Sequence, residues 1–588
     1  MINVNYQKRK NLELFKCLEK PEKLFLSNAQ NYIPIYNKFF TLNDSNYNSI
    51  NLNNKWYISS VNDGDEDDFH LFNCRLKNTQ NNKVKDKEVF FKMAPLLDPF
   101  KYLIGKYNLN DEKLFSLPKI NSTEFDCHSK FIDQNNSAYV DGMFVFLSSN
   151  LIHTHGFTHG VDYYGSFLGI KNNFILNVFD DIDYLNGSDF FNKNKNILFK
   201  IDDYEHLFQD ENQKLKPITI QHNSSAKSQI SIKSFDNELF EDVFEENIVN
   251  ISDLPADLID LTNIDLLEQK DTNQNVTLKS NSTCSSRSSY TDNEEEHEDC
   301  DDCGEIENLD SDKPDNEDDD EDDEDDEDDE SFEEERINVT IPKFPVQVIG
   351  MEFCENTFDD LILTNELSKE EWYSAFMQII MILITYQKAF NFTHNDLHTN
   401  NVMYNQTDKK FIYYCYKKKY YKVPTFGRIF KIIDFGRSIY KFDGKLFCSD
   451  SFQVGGDAAT QYNTEPYLNE KKPRLEPNYS FDLCRLACSI FDYVVEDFDE
   501  VKDLSKCTDP IKSLIVEWCL DDKGVNMLYK GNGVDRYPDF KLYKMIARCV
   551  HNHTPQAQLE RPEFDSYSNF KGEIPADVID IDKIPSYI

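Results

Sequence analysis

The sequence predicts an α+β protein, and three observations carry the prediction. Short β-branched and aromatic runs crowd the first third, from "NKWYISSV" (54–61) through "FHLFNCRLK" (69–77) to "KEVFFKMAPL" (87–96). Apolar residues at three-to-four spacing dominate the part after residue 356, above all in "SKEEWYSAFMQIIMILITYQKAF" (368–390). Between these regions lies a segment with neither pattern. Strand-type alternation buries one face of a sheet and helical spacing buries a stripe. Their segregation along the chain argues for α+β rather than alternating α/β architecture.

Residues 1–50 are mixed and weakly patterned and read as an N-terminal extension. The runs within 51–185 predict a small antiparallel sheet with polar breaks. Inside that span "NNSAYVDGMFVFLSSNLI" (135–152) has helical spacing, and "GVDYYGSFLGIKNNFILNV" (160–178) returns to strand. Residues 186–340 read as a low-complexity insertion. Residues 201–340 carry 47 Asp/Glu against 9 Lys/Arg, so −38 of the net charge of −44 belongs to them and the rest of the chain holds only −6. From Asp318 to Glu330 the acidic run is unbroken. Neighbouring charges about 3.4 Å apart in an extended chain sit well inside a Debye length of about 8 Å. Repulsion there predicts an extended, disordered tract.

Order resumes in 341–356, where "FPVQVIGMEF" (344–353) reads as a strand. Residues 357–570 are the helix-rich part. Ser368 suits an N-cap and Glu371 the reciprocal capping-box position before the 368–390 helix. "YSFDLCRLACSIFDYVV" (479–495) reads as another helix, further helical segments run to about 570, and 571–588 read as a tail.

Composition narrows the function classes. The longest apolar run, "AFMQIIMILITY" (375–386), falls short of the roughly 20 residues a bilayer span needs. The opening "MINVNYQKRKNLELF" lacks the apolar core of a leader. Fourteen cysteines without framework spacing point to free thiols in a reducing compartment. A soluble cytoplasmic protein without membrane contact is expected. The charge disfavours direct nucleic-acid binding and suits basic protein partners for the acidic insertion.

The chemistry concentrates in "FTHNDLHTNNVMY" (392–404) and "FKIIDFGRS" (430–438). Asp396 is followed five residues on by the amide of Asn401, and the strand "KII" delivers Asp434 to a turn, with Gly436 expected to let the backbone bend. Two carboxylates and an amide are the hard oxygen donors that Mg²⁺ takes beside nucleotide phosphates, with one carboxylate left to orient an incoming hydroxyl.

At these residues the chain resembles the protein-kinase superfamily, whose catalytic loop reads H-R-D-L-x-x-x-N and whose metal loop reads D-F-G. His394, Asp396, Leu397 and Asn401, then Asp434, Phe435 and Gly436, match in order and position. The resemblance implies a bilobal protein-kinase-like fold with a β-rich N-lobe, a larger helical C-lobe and the acidic insertion within the N-lobe. Lys92 of "EVFFKMAP" is placed like the strand lysine that pairs with the α/β-phosphates. Asp141 has the spacing of the helix carboxylate that steadies such a lysine. "MEFCEN" (351–356) looks like the hinge, which implies an adenine contact through the Glu352 carbonyl and the Cys354 amide. Asp482 is placed like the helix aspartate that braces the catalytic loop, and Arg561 of "LERPEF" like the late structural arginine.

The departures are as informative. Where a Gly-rich phosphate loop belongs stands "VNDGDEDDF" (61–69), with one glycine and five acids. Asn395 replaces the arginine of H-R-D, which implies activity without an activation-loop phosphate. His398 replaces the usual lysine or arginine, and D-L-H-x-x-N resembles haspin-type and small-molecule kinases. No A-P-E is recognisable before Asp482. The resemblance implies ATP and Mg²⁺ as cofactors and Ser/Thr hydroxyls of a protein substrate as acceptors, as in the serine/threonine kinases of giant DNA viruses. A small-molecule kinase of the aminoglycoside or choline type, and a pseudokinase scaffold, stand as alternatives.

Other features have simpler readings. "HTHGFTH" (153–159) has metal-like spacing but falls in a helix-to-strand loop, and "HEDCDDC" (297–303) reads as solvated acid. Cys484 and Cys488 read as core. The Lys417–Lys419 cluster reads as a solvated hairpin face, or otherwise as a holder of an acidic segment. "DLPADLIDL" (253–261) nearly recurs as "EIPADVIDI" (573–581), which raises the idea of one kind of docking groove used twice.

Overall fold

Seven strands make one antiparallel sheet: β1 (Leu26–Gln30), β2 (Trp56–Gly64), β3 (Leu71–Asn78), β4 (Val84–Pro95), β5 (Tyr163–Asn177), β6 (Lys200–Ile201) and β7 (Asn338–Glu352). Their order is β1-β5-β7-β4-β3-β2, with β6 also paired to β7. These positions come from a computed structural model that describes residues 2–64, 70–204, 336–495, 504 and 507–588. The acidic run, "HEDCDDC" and "DLPADLIDL" lie outside the described residues. With the helices that follow, the architecture is α+β, as the segregated periodicities predict.

The period-2 alternation does its expected work in β4. Val89 and Phe91 are fully buried, while Lys92 is only part-buried and lies opposite Ile349 of the central strand β7. Residues 1–50, weakly patterned in sequence, nonetheless supply an edge strand, since Ser27 of β1 lies opposite Ile170 of β5. A register shift between Ser27 and Gln30 interrupts the alternation within five residues, too short a run for periodicity to register.

A short helix, Leu12–Leu18, packs on the sheet through Phe15, 5.4 Å from Phe167, and a longer helix lies against its central strands. α1 (Ser137–His155) is capped at its start by the Asn136 side chain, which accepts from the Ala138 N–H, and it ends on Gly156 at φ +67°. That left-handed terminus costs glycine no Cβ clash. A Cβ on Gly142 would come within 2.1 Å of the buried Gln347 amide of β7. The small residue next to Asp141 thus lets α1 approach the sheet.

The helical part is built on α2 (Lys369–Phe390), α3 (Phe481–Val494), α4 (Pro510–Trp518) and α5 (Lys541–Cys549). The predicted capping box of α2 is present: the Glu371 N–H donates to Ser368 Oγ, and the Ser368 N–H donates to Glu371 Oε2 at 3.0 Å. Beyond its first turn α2 is buried on nearly every face, the mark of a core helix. Cys484 and Cys488 of α3 are buried, as their spacing suggests. Among the described residues no helix is long and apolar enough to cross a membrane.

The last residues fold back onto the body. Ile579–Asp580 adds a parallel strand to Phe411–Tyr416, and Ile579, Ile581 and Ile584 are buried. Phe411–Tyr416 also pairs with Lys419–Pro424, and their turn places Lys417 and Lys418 at φ +51° and +62°. Both lysine N–H groups donate to the Asp582 carboxylate, at 2.9 and 2.7 Å. The turn's backbone, not its lysine charges, holds this acid: Lys417 and Lys418 are exposed, as a solvated hairpin face would be, and Lys419 pairs with Asp565.

Candidate active site

Backbone pairing brings the two motifs together. Val402–Gln406 pairs antiparallel with Arg428–Ile432, with Val402 opposite Ile432. The same ladder continues through the Ile433 N–H, which donates to the Asn401 carbonyl at 3.0 Å. Asn401 and Asp434, 33 positions apart in the chain, become near neighbours at the end of one hairpin.

The loop carrying Asp396 is held from below. The N–H groups of His394 and Asn395 donate to the two oxygens of Asp482, each at 2.9 Å, and Asp482 is fully buried at the start of α3. His394 Nε2 donates to the Ile433 carbonyl at 2.9 Å, and its Nδ1 accepts the Asp396 N–H at 3.3 Å. One imidazole thus ties both motifs together. Asn395 sits at φ +66°, a conformation that asparagine tolerates better than most residues. Its amide donates to the Arg437 carbonyl at 3.0 Å and accepts from the Tyr462 hydroxyl at 2.7 Å. The Asn401 amide nitrogen donates to the Asp396 carbonyl at 2.9 Å and lies 3.0 Å from His398 Nε2.

The facing wall comes from the sheet and α1. Lys92 Nζ lies 2.6 Å from Asp141 Oδ2 and 2.9 Å from Asp434 Oδ1. The other Asp141 oxygen accepts the Phe435 N–H at 2.9 Å. Phe435 is buried, its ring 4.5 Å from Phe144 and 5.7 Å from His394. Phe144 also stacks on Phe392 at 4.4 Å. This aromatic cluster carries α1 onto the Asp434 turn and so fixes where Asp141 stands.

The expected bend at Gly436 is present, the Ser438 N–H donating to the Phe435 carbonyl at 3.0 Å, but it does not use glycine's left-handed freedom. The left-handed residue is Asp434 itself, at φ +61°, whereas Gly436 has no positive φ. Aspartate tolerates that region because its short side chain can bond locally, and here the Gly436 N–H approaches Asp434 Oδ1 at 3.5 Å.

Charge follows this geometry. Burial works against the Lys92 ammonium, but Asp141 and Asp434 outweigh it and hold the group protonated above its usual range. The Asp434 carboxylate, 49% exposed, is brought down to about 2 because Lys92 overcomes the desolvation that would raise it. Burial pushes Asp141 up, against the pull of Lys92. Burial also opposes the charge on Asp396, yet Arg437, then His398 and Arg485, keep it below the usual carboxylate value. His398 is pushed down to about 4 by burial and is neutral at pH 7. Its Nδ1 is a buried atom without a partner among the described residues.

The remaining predicted residues lie apart from this cluster. The Glu352 side chain ends β7 in a buried network, 3.2 Å from Lys431 and accepting the Asp162 N–H at 3.1 Å, and Cys354 is buried just beyond. Arg561 forms a two-pronged ion pair with Glu517 of α4, one of its contacts at 2.9 Å. The three histidines of "HTHGFTH" have separate partners: Asp162 for His153, the Tyr587 hydroxyl for His155, and the Phe430 carbonyl with the Tyr414 hydroxyl for His159. They share no metal point. Among the described residues the metal-capable group is Cys415, Asp580 and Asp582, and the Asp582 carboxylate already accepts two backbone N–H groups.

Two residues on Asp396 escaped the sequence reading. Arg437 Nη1 lies 3.4 Å from Asp396 Oδ2, and the Tyr543 hydroxyl donates to Asp396 Oδ1 at 2.8 Å. Arg437 directly follows D-F-G and was within reach of local inspection. Tyr543 stands 147 positions from Asp396, and no local pattern announces it.

No protein-family model matches this chain, and no curated protein matches it.

Proposed function

We propose that this protein is an ATP-dependent phosphotransferase with a bilobal, protein-kinase-like arrangement, acting on Ser/Thr hydroxyls of a protein substrate. The seven-stranded sheet with α1 would be the small lobe and the helical part the large one. The single observation that carries the reading is Lys92, whose ammonium lies 2.6 Å from Asp141 and 2.9 Å from Asp434. A desolvated lysine between a buried carboxylate and a half-exposed one is arranged to meet phosphate oxygens while the exposed acid turns to a metal.

The donors fit Mg²⁺. Asp434 keeps an accessible carboxylate, and Asn401 has its amide nitrogen committed to Asp396 and His398, which leaves its oxygen as the ligating atom. Asn401 and Asp434 would hold the ion, which supplies charge neutralisation at the phosphates. Lys92, fixed by Asp141, positions the donor's α/β-phosphates. Asp396 orients the acceptor hydroxyl and takes its proton as the new P–O bond forms and ADP departs.

The test is transfer from γ-labelled ATP with Mg²⁺ to a mixture of casein and histones, comparing wild type with Asp434→Ala and Asp396→Asn. Each substitution is expected to lower transfer by at least about 100-fold, the usual worth of a positioned acid–base group, with nucleotide binding preserved in Asp396→Asn. Full activity of Asp396→Asn would refute the assigned role. Transfer to amino alcohols but to neither protein would turn the reading towards a small-molecule kinase.

A further inference from the structure

Both oxygens of Asp396 already face donors. Tyr543, in the first turn of α5, gives its hydroxyl to Oδ1 at 2.8 Å, and Arg437 approaches Oδ2 at 3.4 Å. The two donors are held differently. Arg437 is fixed independently by Asp457, at 2.8 Å from Nη2 and 3.2 Å from Nε, and it is buried. Pulling it off Asp396 would break a desolvated charge pair, which is costly. Tyr543 is held by its ring, which stacks on Phe540 at 5.1 Å and lies 5.0 Å from the Arg485 guanidinium. Its tie to Asp396 is a single neutral hydroxyl.

A general base must lie about 2.6–3.2 Å from the hydroxyl it serves. The Tyr543 oxygen occupies that position. An incoming hydroxyl would take over this bond to the carboxylate, and the cost of the exchange falls on the displaced Tyr543 hydroxyl, a buried group that must find another partner. Resting on the phosphotransferase reading above, we propose that Tyr543 is a positioning residue that occupies the acceptor's place on Asp396 and is displaced by the substrate hydroxyl. While seated, it keeps water off the base and restrains futile hydrolysis of ATP. An acceptor must compete with it, so Tyr543 sets a threshold for which hydroxyls are phosphorylated.

The experiment compares wild type, Tyr543→Phe and Asp396→Asn for MgATP hydrolysis without acceptor and for phosphoryl transfer to casein. Tyr543→Phe keeps the ring and its stacking, so any fall in its urea midpoint should reflect the lost hydroxyl bond alone. Hydrolysis is expected to rise, and the KM for casein to fall, each by about tenfold, the worth of one hydrogen bond to a charged acceptor. The kcat for transfer should change by less than about twofold, since chemistry begins after Tyr543 has left. A fall in kcat with unchanged KM and no gain in hydrolysis would mean that Tyr543 merely braces Asp396, and would overturn the proposal while the phosphotransferase reading stood. If wild type shows no turnover that Asp396→Asn removes, the reading itself fails and the proposal with it. Should Tyr543→Phe lose stability, Tyr543→Leu separates the causes: the same KM fall in both variants supports displacement, and a kcat loss in both refutes it.

Discussion

The Lys92 cluster makes a prediction that does not depend on catalysis: its two carboxylates should contribute very unequally to stability. Asp141 is 2% exposed at its side chain, against 49% for Asp434, and the lysine between them is 24% exposed. Removing one partner of a fully buried ion pair costs about 3–5 kcal/mol, because the other charge is stranded. Asp141→Asn keeps an acceptor for the Phe435 N–H and leaves Lys92 the Asp434 carboxylate. The cost should therefore drop to about 2–3 kcal/mol, or a fall of less than about 1 M in urea midpoint. Asp434→Asn removes a solvent-screened partner and should cost less than about 1 kcal/mol, although the proposed function needs that residue for activity. Replacing Lys92 and Asp141 together by Met and Leu should cost clearly less than the sum of the single changes, since no charge is then stranded. Urea unfolding followed by far-UV circular dichroism measures each of these variants. Equal destabilisation by Asp141→Asn and Asp434→Asn, or a cost below about 0.5 kcal/mol for the former, would refute the picture of a desolvated pair.

Asp482→Ala leaves the His394 and Asn395 N–H groups without acceptors in a buried loop, at about 1–3 kcal/mol each; the urea midpoint and hydrogen exchange of residues 393–397 would report it, and unchanged exchange would count against the bracing role. Acid sensitivity should come from His159 and His398, which burial pushes down to about 3 and about 4. The unfolded chain takes up these protons below about pH 6.5 and the folded protein does not, so the stability they contribute is complete above that pH. It falls towards pH 4 at about 1.4 kcal/mol per pH unit for each histidine; urea midpoints between pH 7 and 4.5 should show a shallower slope for His159→Gln, and an unchanged slope would exclude that residue as a cause.

Local chemistry was legible in the sequence wherever it acts locally. The capping box at Ser368 and Glu371 works through residues three apart, so its pattern is its mechanism. β4 alternates because the pleat does, and Lys92 could be placed on a strand from that alone. The spacing of His394, Asp396 and Asn401 shows in the loop's local bonds, from the Asp396 N–H to His394 and from the Asn401 amide to the Asp396 carbonyl, while Asp482, Ile433 and Arg437 hold the loop from outside. β1 was hidden because a register shift breaks its five residues before a period shows.

By itself the sequence determined the α+β class, the ends of α2 and the residue types that meet at the candidate site. Only tertiary structure decided which side chains close around them. Asp141 reaches Lys92 because an aromatic cluster seats α1 on the Asp434 turn, and the left-handed φ falls on Asp434 rather than on the glycine two residues later. Tyr543 and Asp582 reach partners about 150 positions away or more. The physical reason is range. Backbone hydrogen bonding and capping are settled within a few residues and leave periodic marks, whereas a contact between distant segments is settled by packing the whole core and leaves no mark in either segment.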